Sequence, residues 1–238
     1  MSRSLAFLLA AATLIGCSST PEQPIINQFF TASRLRDNTT LAGFAAVAFE
    51  PGTQGTVTTF EITSVTPEQR RPLPLRTLAK AQDDARTADA EFTKRKDAYQ
   101  VQNIDAIKRV LEAEREKRKL APKDAEVQAV WSRFLEEGVA VSRKVGDARR
   151  KLASESTVVD MSINGGPTRV DIAKYDGEMI TKEVSISAPV RLPSGQTAQK
   201  NLIVTMQRAV LNGDKDITGR WIITAMRDAS GSASTPRS

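Results

Sequence analysis

Histidine does not occur in the 238 residues, and cysteine occurs once, as Cys17. A zinc site of His and Cys ligands cannot be assembled from such a chain, nor can a Ser-His-Asp or Cys-His catalytic set, and no intrachain disulfide can form. Aromatic residues make up only 5%, against 40% hydrophobic and 26% charged. That balance suits a folded body accompanied by one long segment outside its core. No Asp/Asn-rich loop has the spacing of an EF-hand. The residues call for no metal and no cofactor. The longest apolar run, Leu5 to Leu14, is far short of the roughly 20 residues that a membrane-spanning helix needs.

Charge of one sign is in modest excess. The formal net charge is +6, to which Arg3 contributes the only charge among the first 16 residues. Such an excess suits anionic headgroups, acidic glycans or an acidic protein partner. Arg3 followed by the short apolar run has the form of a cleavable export leader, residues 1–16, and export disfavours nucleic acid as a partner. The junction Leu14-Ile15-Gly16-Cys17 resembles the lipobox of bacterial lipoproteins. That resemblance implies a diacylglyceryl thioether on Cys17 and an acylated, palmitate-bearing N-terminus, so that the membrane is a partner through Cys17. Several acyl chains hold stably where one is marginal, at about 0.8 kcal/mol per buried CH₂. Ser18, in place of Asp, resembles the signal for the outer rather than the inner membrane in enteric bacteria, which puts the body on the periplasmic face of the cell envelope. Residues 17–24 read as the lipidated cysteine and a polar tether, reaching no more than roughly 25 Å.

Beyond the tether, Ile26, Phe29, Phe30, Leu35, Leu41, Phe44 and Ala45 fall at helical intervals. Asp37-Asn38-Thr39 can break and re-cap the chain, which predicts two short helices. Gly55 to Val65 alternates β-branched and polar residues and predicts one strand, with Val57, Ile62 and either Thr59 or Phe60 competing for its buried face. After Pro67, Pro72 and Pro74 the chain becomes charged and helical from about Leu75 to Lys119. Pro122 breaks it, and a second helix runs to about Ser154. The second helix carries Val127, Trp131, Phe134, Gly138, Val141, Val145, Ala148 and Leu152 in steps of four and three; the first carries Leu78, Ala85, Phe92, Tyr99 and Ala106 at sevens, continued by Ile107 and Leu111. These are coiled-coil periods, and the short break predicts an antiparallel hairpin over 75–155. Strands are predicted over 157–163, 170–173, 183–192, 199–211 and 218–226, separated by Gly- and Asn-bearing turns that make the sheet antiparallel. The divisions are thus 25–74 and 156–228 for an α+β body, 75–155 for the hairpin, and a Ser/Ala-rich, disordered tail over 229–238.

Two helices, a strand, helical material and closing antiparallel strands, with Phe29-Phe30-Thr31-Ala32-Ser33-Arg34-Leu35-Arg36-Asp37, Leu41 and Gly219-Arg220-Trp221-Ile222-Ile223, resemble the NTF2-like (SnoaL-like) family. The resemblance implies an α+β cone, helices packed on a curved antiparallel sheet, here with an inserted helical hairpin where the family has a short helix. Enzymes of that family often place an Asp base with a Tyr donor in the cone. By that resemblance Asp37, Asp171 and Tyr175 are candidate cavity residues, with Asp160 and Asp176 beside them. The plainer reading makes Asp37 a helix cap and Tyr175-Asp176-Gly177 a turn.

A second candidate surface is the hairpin tip, where Lys108, Arg109, Arg115, Lys117, Arg118, Lys119 and Lys123 gather. From Leu75 to Glu155 there are 19 Lys and Arg against 15 Asp and Glu, which is most of the chain's excess. A charge run on a helix is ordinarily a solvated face, and as a binding surface it selects an acidic partner weakened by salt. The expectation is a non-catalytic binding or scaffolding lipoprotein that meets an envelope protein through its hairpin. The competing readings are a small-molecule binder or isomerase-like enzyme using the cone, and a periplasmic adaptor of an envelope complex.

Overall fold

The computed structural model describes residues 20–229. Cys17, the leader and most of the tail lie outside the described residues. Among the described residues the architecture is α+β, with four α-helices and an antiparallel sheet.

Helix α1 spans Gln23–Leu35 and α2 spans Asn38–Phe44. The chain turns between them at Arg36, in the left-handed region at φ 55°, and Asp37 caps α2 by accepting the Thr40 N–H at 3.0 Å. Leu35 faces outward, 68% exposed, while Ile26, Phe29, Phe30, Leu41 and Phe44 are buried. The stretch 55–65 is not one strand but two, β1 (Thr56–Val57) and β2 (Glu61–Val65). The interruption between them lets Val57, Phe60 and Ile62 all turn inward, a choice that strict alternation forbids, and leaves Thr59 exposed.

Strand β3 (Gln69–Leu73) follows, unforeseen because Arg70, Arg71 and Pro72 are poor strand formers. On the outer side of the sheet Pro72 needs no ladder partner for its missing N–H. Then come α3 (Leu75–Arg115) and α4 (Pro122–Ile163), each about 60 Å long at 1.5 Å per residue. The predicted strand over 157–163 is instead the last two turns of α4, and 170–173 holds a short 3-10 turn, Ile172–Lys174. Strands β4 (Gly177–Arg191) and β5 (Thr197–Leu211) pair without interruption from Gly177↔Leu211 to Arg191↔Thr197, joined by a turn in which Gly195 adopts φ 85°. Strands β6 (Ile217–Thr218) and β7 (Ile222–Asp228) flank β5, while β1, β2 and β3 line up in succession along β4.

The two faces of the sheet have different covers. Val184, Ile186, Ala188 and Val190 of β4, with Leu202, Val204 and Met206 of β5, receive α1 and α2. Phe30 sits edge-on to Phe29 and Phe49 at ring separations of 5.4 and 5.5 Å, which fills the space between helix and sheet. Met179, Ala209 and Leu211, on the opposite face by alternation, receive Leu73, Leu75 and Val159 at the hairpin base. Ser162, near the end of α4, mends the sheet where β6 and β7 part. Its hydroxyl accepts the Ala209 N–H at 3.0 Å and donates to the Arg220 carbonyl at 2.7 Å, and the Arg220 N–H donates to the Ser162 carbonyl at 3.0 Å. The helix thereby becomes part of the sheet edge, which ties the hairpin base to the body.

Candidate functional site

The residues suggested for a cavity do not converge. Asp37 is exposed at the α2 N-terminus, where hydrogen bonds from the Thr40 hydroxyl and N–H hold its carboxyl below the ordinary carboxylate range. Asp171 is exposed and pairs with Lys174 at 3.4 Å. Tyr175 packs half-buried against the cluster of Leu73, Val159 and Leu211. Asp160 accepts from Asn164 at 2.7 Å, and Asp176 accepts the Arg76 N–H at 3.1 Å and pairs with its guanidinium at 3.0 Å. Asp176 thus clamps the start of α3 to the start of β4. The interior where a cone would hold ligand is occupied by Phe29, Phe30, Phe49 and Leu41. A depression at the surface, lined by Ser33, Arg36, Asn38, Phe49 and Glu50, holds about 80 Å³.

A buried charged cluster escaped the sequence reading. Lys182 occupies a core-facing position of β4, flanked in alternation by Ile180 and Val184, and is 7% exposed. Its ammonium donates to the Glu22 carboxylate, itself 5% exposed at the N-terminus of α1, and lies 4.0 Å from the Trp221 ring centre. Arg208 also lies over Trp221, at 4.6 Å, and pairs with Glu68 at 3.1 Å. The signal was present as a lysine inside an apolar alternation, but its partner is 160 positions away. The arrangement pins the point at which the chain enters the body. The tail of the tether is therefore structured earlier than supposed, since Glu22 is already buried and α1 begins at Gln23.

The hairpin is the largest exposed element. Between Arg76 and Val158 only Phe92, Ile107, Val110 and Ala113 are buried. Phe92 meets Phe134 and the bare backbone of Gly138, where a β-carbon would sit 3.2 Å from the ring, and Tyr99 meets Phe134 at 5.3 Å. Trp131 and Phe134 are half-buried in this seam. Asn103 then departs from helical geometry (φ −121°, ψ 18°), its side-chain amide donating to the Tyr99 carbonyl at 3.0 Å. Beyond this kink the inner seam passes to Ile107, Val110 and Ala113, and Leu111, foreseen on the inner stripe, is turned outward, 49% exposed.

Two depressions lie along the hairpin base. One of about 470 Å³ is lined by Leu75, Leu152, Thr157, Asp160, Met161 and Ile172; another of about 420 Å³ lies between Leu78, Ala81 and Ala85 of α3 and Lys144, Ala148 and Lys151 of α4. At the tip, Arg109 is folded back on Asp124 at 2.8 Å, which raises the guanidinium's affinity for its proton and lowers the carboxyl's. Arg118 pairs with Glu116 at 2.5 Å. Lys108, Arg115, Lys117, Lys119 and Lys123 are exposed, and among the described residues no ion pair is formed by them. Among the described residues no group of three or more His, Cys, Asp and Glu is placed to hold a metal ion, and no helix is long and apolar enough to cross a membrane.

No protein-family model matches the chain, and no curated protein and no solved structure matches it.

Proposed function

We propose that this protein is a lipid-anchored, non-catalytic scaffold of the bacterial cell envelope, acylated on Cys17, held on the periplasmic face of the outer membrane, and engaging an envelope protein through its helical hairpin. The observation that carries the reading is the hairpin itself. About eighty residues form two helices of roughly 60 Å that bury four side chains between Arg76 and Val158, so their product is surface rather than core. The filled interior of the body and the scattered positions of Asp37, Asp171 and Tyr175 argue in the same direction. The body we read as an NTF2-like cone with an inserted coiled-coil hairpin, on the strength of α1 and α2 lying across an antiparallel sheet and of the hairpin joining β3 to β4.

With Cys17 in the bilayer interface, the buried Glu22 limits the tether to five residues, about 17 Å. The body then rides close to the headgroups. The free cations at the tip select an acidic surface on the partner. Two measurements test the proposal. Labelled palmitate enters the wild type and not Cys17→Ala, which is released from the membrane fraction. A photo-crosslinker at Lys117 yields a discrete adduct in cells that disappears when Arg115 and Lys119 are both changed to Glu. Unlabelled, freely soluble wild-type protein rules out the anchor, and an adduct indifferent to the charge reversal rules out the basic tip as the docking surface.

A further inference from the structure

Two of the chain's asparagines, Asn164 and Asn212, are followed by glycine. Asparagine is among the thermolabile residues, and a following glycine has no side chain to shield its nitrogen from the neighbouring carboxamide. The fold treats the two pairs differently. At the end of α4 the Asn164 carboxamide is held by three hydrogen bonds: it donates to the Asp160 carboxylate at 2.7 Å and to the Val170 carbonyl at 3.0 Å, and it accepts the Val170 N–H at 2.7 Å. The Arg220 guanidinium lies directly over Gly165. In the turn from β5 to β6, by contrast, Asn212 and Gly213 are both exposed. The Asn212 main chain is tied there, its N–H donating to the Asp176 carbonyl at 2.9 Å. Among the described residues, neither the Asn212 carboxamide nor the Gly213 N–H forms a hydrogen bond.

We propose that Asn212 is a site of spontaneous deamidation, in which the Gly213 nitrogen attacks the Asn212 carboxamide to form a cyclic imide that water opens to an aspartyl or isoaspartyl residue. The bond that forms joins the Gly213 nitrogen to Asn212 Cγ. The bond that breaks runs from Cγ to the carboxamide nitrogen, which leaves as ammonia with the proton that Gly213 gives up. Water then adds at either imide carbonyl. Opening at Cγ yields the aspartyl form; opening at the main-chain carbonyl routes the chain through the former side chain and lengthens it by a methylene. Nothing is oxidised or reduced. Either product adds a carboxylate to a turn that already holds Asp214 and Asp216. Its position gives the change a structural consequence. The Asn212 N–H is bonded to Asp176, whose carboxylate in turn accepts the Arg76 N–H at 3.1 Å and pairs with its guanidinium at 3.0 Å. The Tyr175 ring lies 3.3 Å from where a β-carbon on Gly213 would stand. Extra backbone and extra charge at position 212 therefore fall on the clamp that starts α3.

The reaction needs neither the anchor nor a partner. The full chain, kept in a nonionic detergent at mildly alkaline pH, is sampled over time, digested with trypsin and read by mass spectrometry with fragmentation that separates aspartyl from isoaspartyl products. Peptide 209–215 reports on Asn212 and peptide 152–169 on Asn164. Peptide 209–215 should convert first, with isoaspartyl among its products. Asn164 should react at least about tenfold more slowly, because its carboxamide must first be released from its partners. In urea the two rates should converge. Gly213→Ala, its fold checked by circular dichroism, should slow conversion at position 212 severalfold. An Asn212 no more reactive than Asn164 in the folded chain overturns the proposal, as does a difference undiminished in urea, which would place its cause in the neighbouring residues rather than in the fold. A product that is aspartyl alone, or a rate unchanged in Gly213→Ala, rules out attack by the Gly213 nitrogen, and the proposal falls with it.

Discussion

Removing Lys182 alone should be among the most destabilising single changes available in the body. Met is close to Lys in volume and apolar, so Lys182→Met keeps the packing on the core-facing side of β4 and deletes only the charge. It leaves the Glu22 carboxylate, whose side chain is 7% exposed, buried without its cation. Breaking a buried pair in this way costs about 3–5 kcal/mol. Loss of the ammonium from its position 4.0 Å from the Trp221 ring adds about 1–2 kcal/mol. Folded domains are stable by only about 5–15 kcal/mol, so a substantial part of the total is at stake. The double variant Glu22→Gln, Lys182→Met removes both charges together and should recover most of the loss, because no unpaired ion remains to be desolvated. Urea unfolding followed by circular dichroism measures all four members of the cycle, with an unchanged slope confirming that stability and not compactness has altered. The corresponding fall in melting temperature is about 8–28 °C for Lys182→Met at this chain length. A single change costing less than about 1 kcal/mol, or a double variant as unstable as the sum of the singles, would refute the view that these two groups are a desolvated and mutually dependent pair.

Other consequences follow from positions away from that pair. Ser162→Ala strips the hydroxyl that satisfies both the Ala209 N–H and the Arg220 carbonyl, and should cost about 1–3 kcal/mol with faster amide exchange at Ala209 in hydrogen-exchange NMR; an unaltered Ala209 would contradict the role assigned to the serine. Gly177→Ala places a β-carbon 2.1 Å from the Val210 carbonyl oxygen at the first pair of the β4–β5 ladder, so about 1–3 kcal/mol of overpacking strain should appear in denaturant unfolding, and a neutral result would mean that the strands are farther apart than described. The carboxyls of Asp37 and Asp124 are held below their ordinary range by hydrogen bonds from Thr40 and Arg109 respectively. Their contribution to stability is therefore complete above about pH 4, where unfolded-state carboxyls are ionised, and is lost as the pH falls through the depressed folded-state values. Helicity titrated from about pH 5 to pH 2 should fall less steeply in Asp37→Asn and Asp124→Asn than in the wild type, and superimposable curves would remove these groups from the acid response.

Local sequence determined what local physics could decide. Asp37 ends one helix and caps the next because its carboxylate satisfies an N–H that the new helix leaves open. Pro193-Ser194-Gly195 turns β4 into β5 because Gly195 accepts a positive φ. Pro122 opens α4, where a missing N–H costs nothing. The absence of histidine and the solitary cysteine set the range of chemistry before any fold was known. Tertiary structure decided the rest. Thr157, Val158 and Val159 have strand-like side chains, yet they stay helical because Val159 fills the lower core and Ser162 completes the sheet edge, gains that outweigh a small local preference. Pro72 stands in a strand because that row of the sheet needs no donor from it. Leu111 stands four residues after buried Ile107 and still faces outward, because Val110 and Ala113 fill the inner positions of that turn. The Glu22–Lys182 pair joins residues 160 positions apart, and only the closing of α1 over β4 makes a burial that neither residue would tolerate alone. Short-range propensity is written in neighbouring residues, whereas desolvation and packing depend on what the folded chain brings alongside.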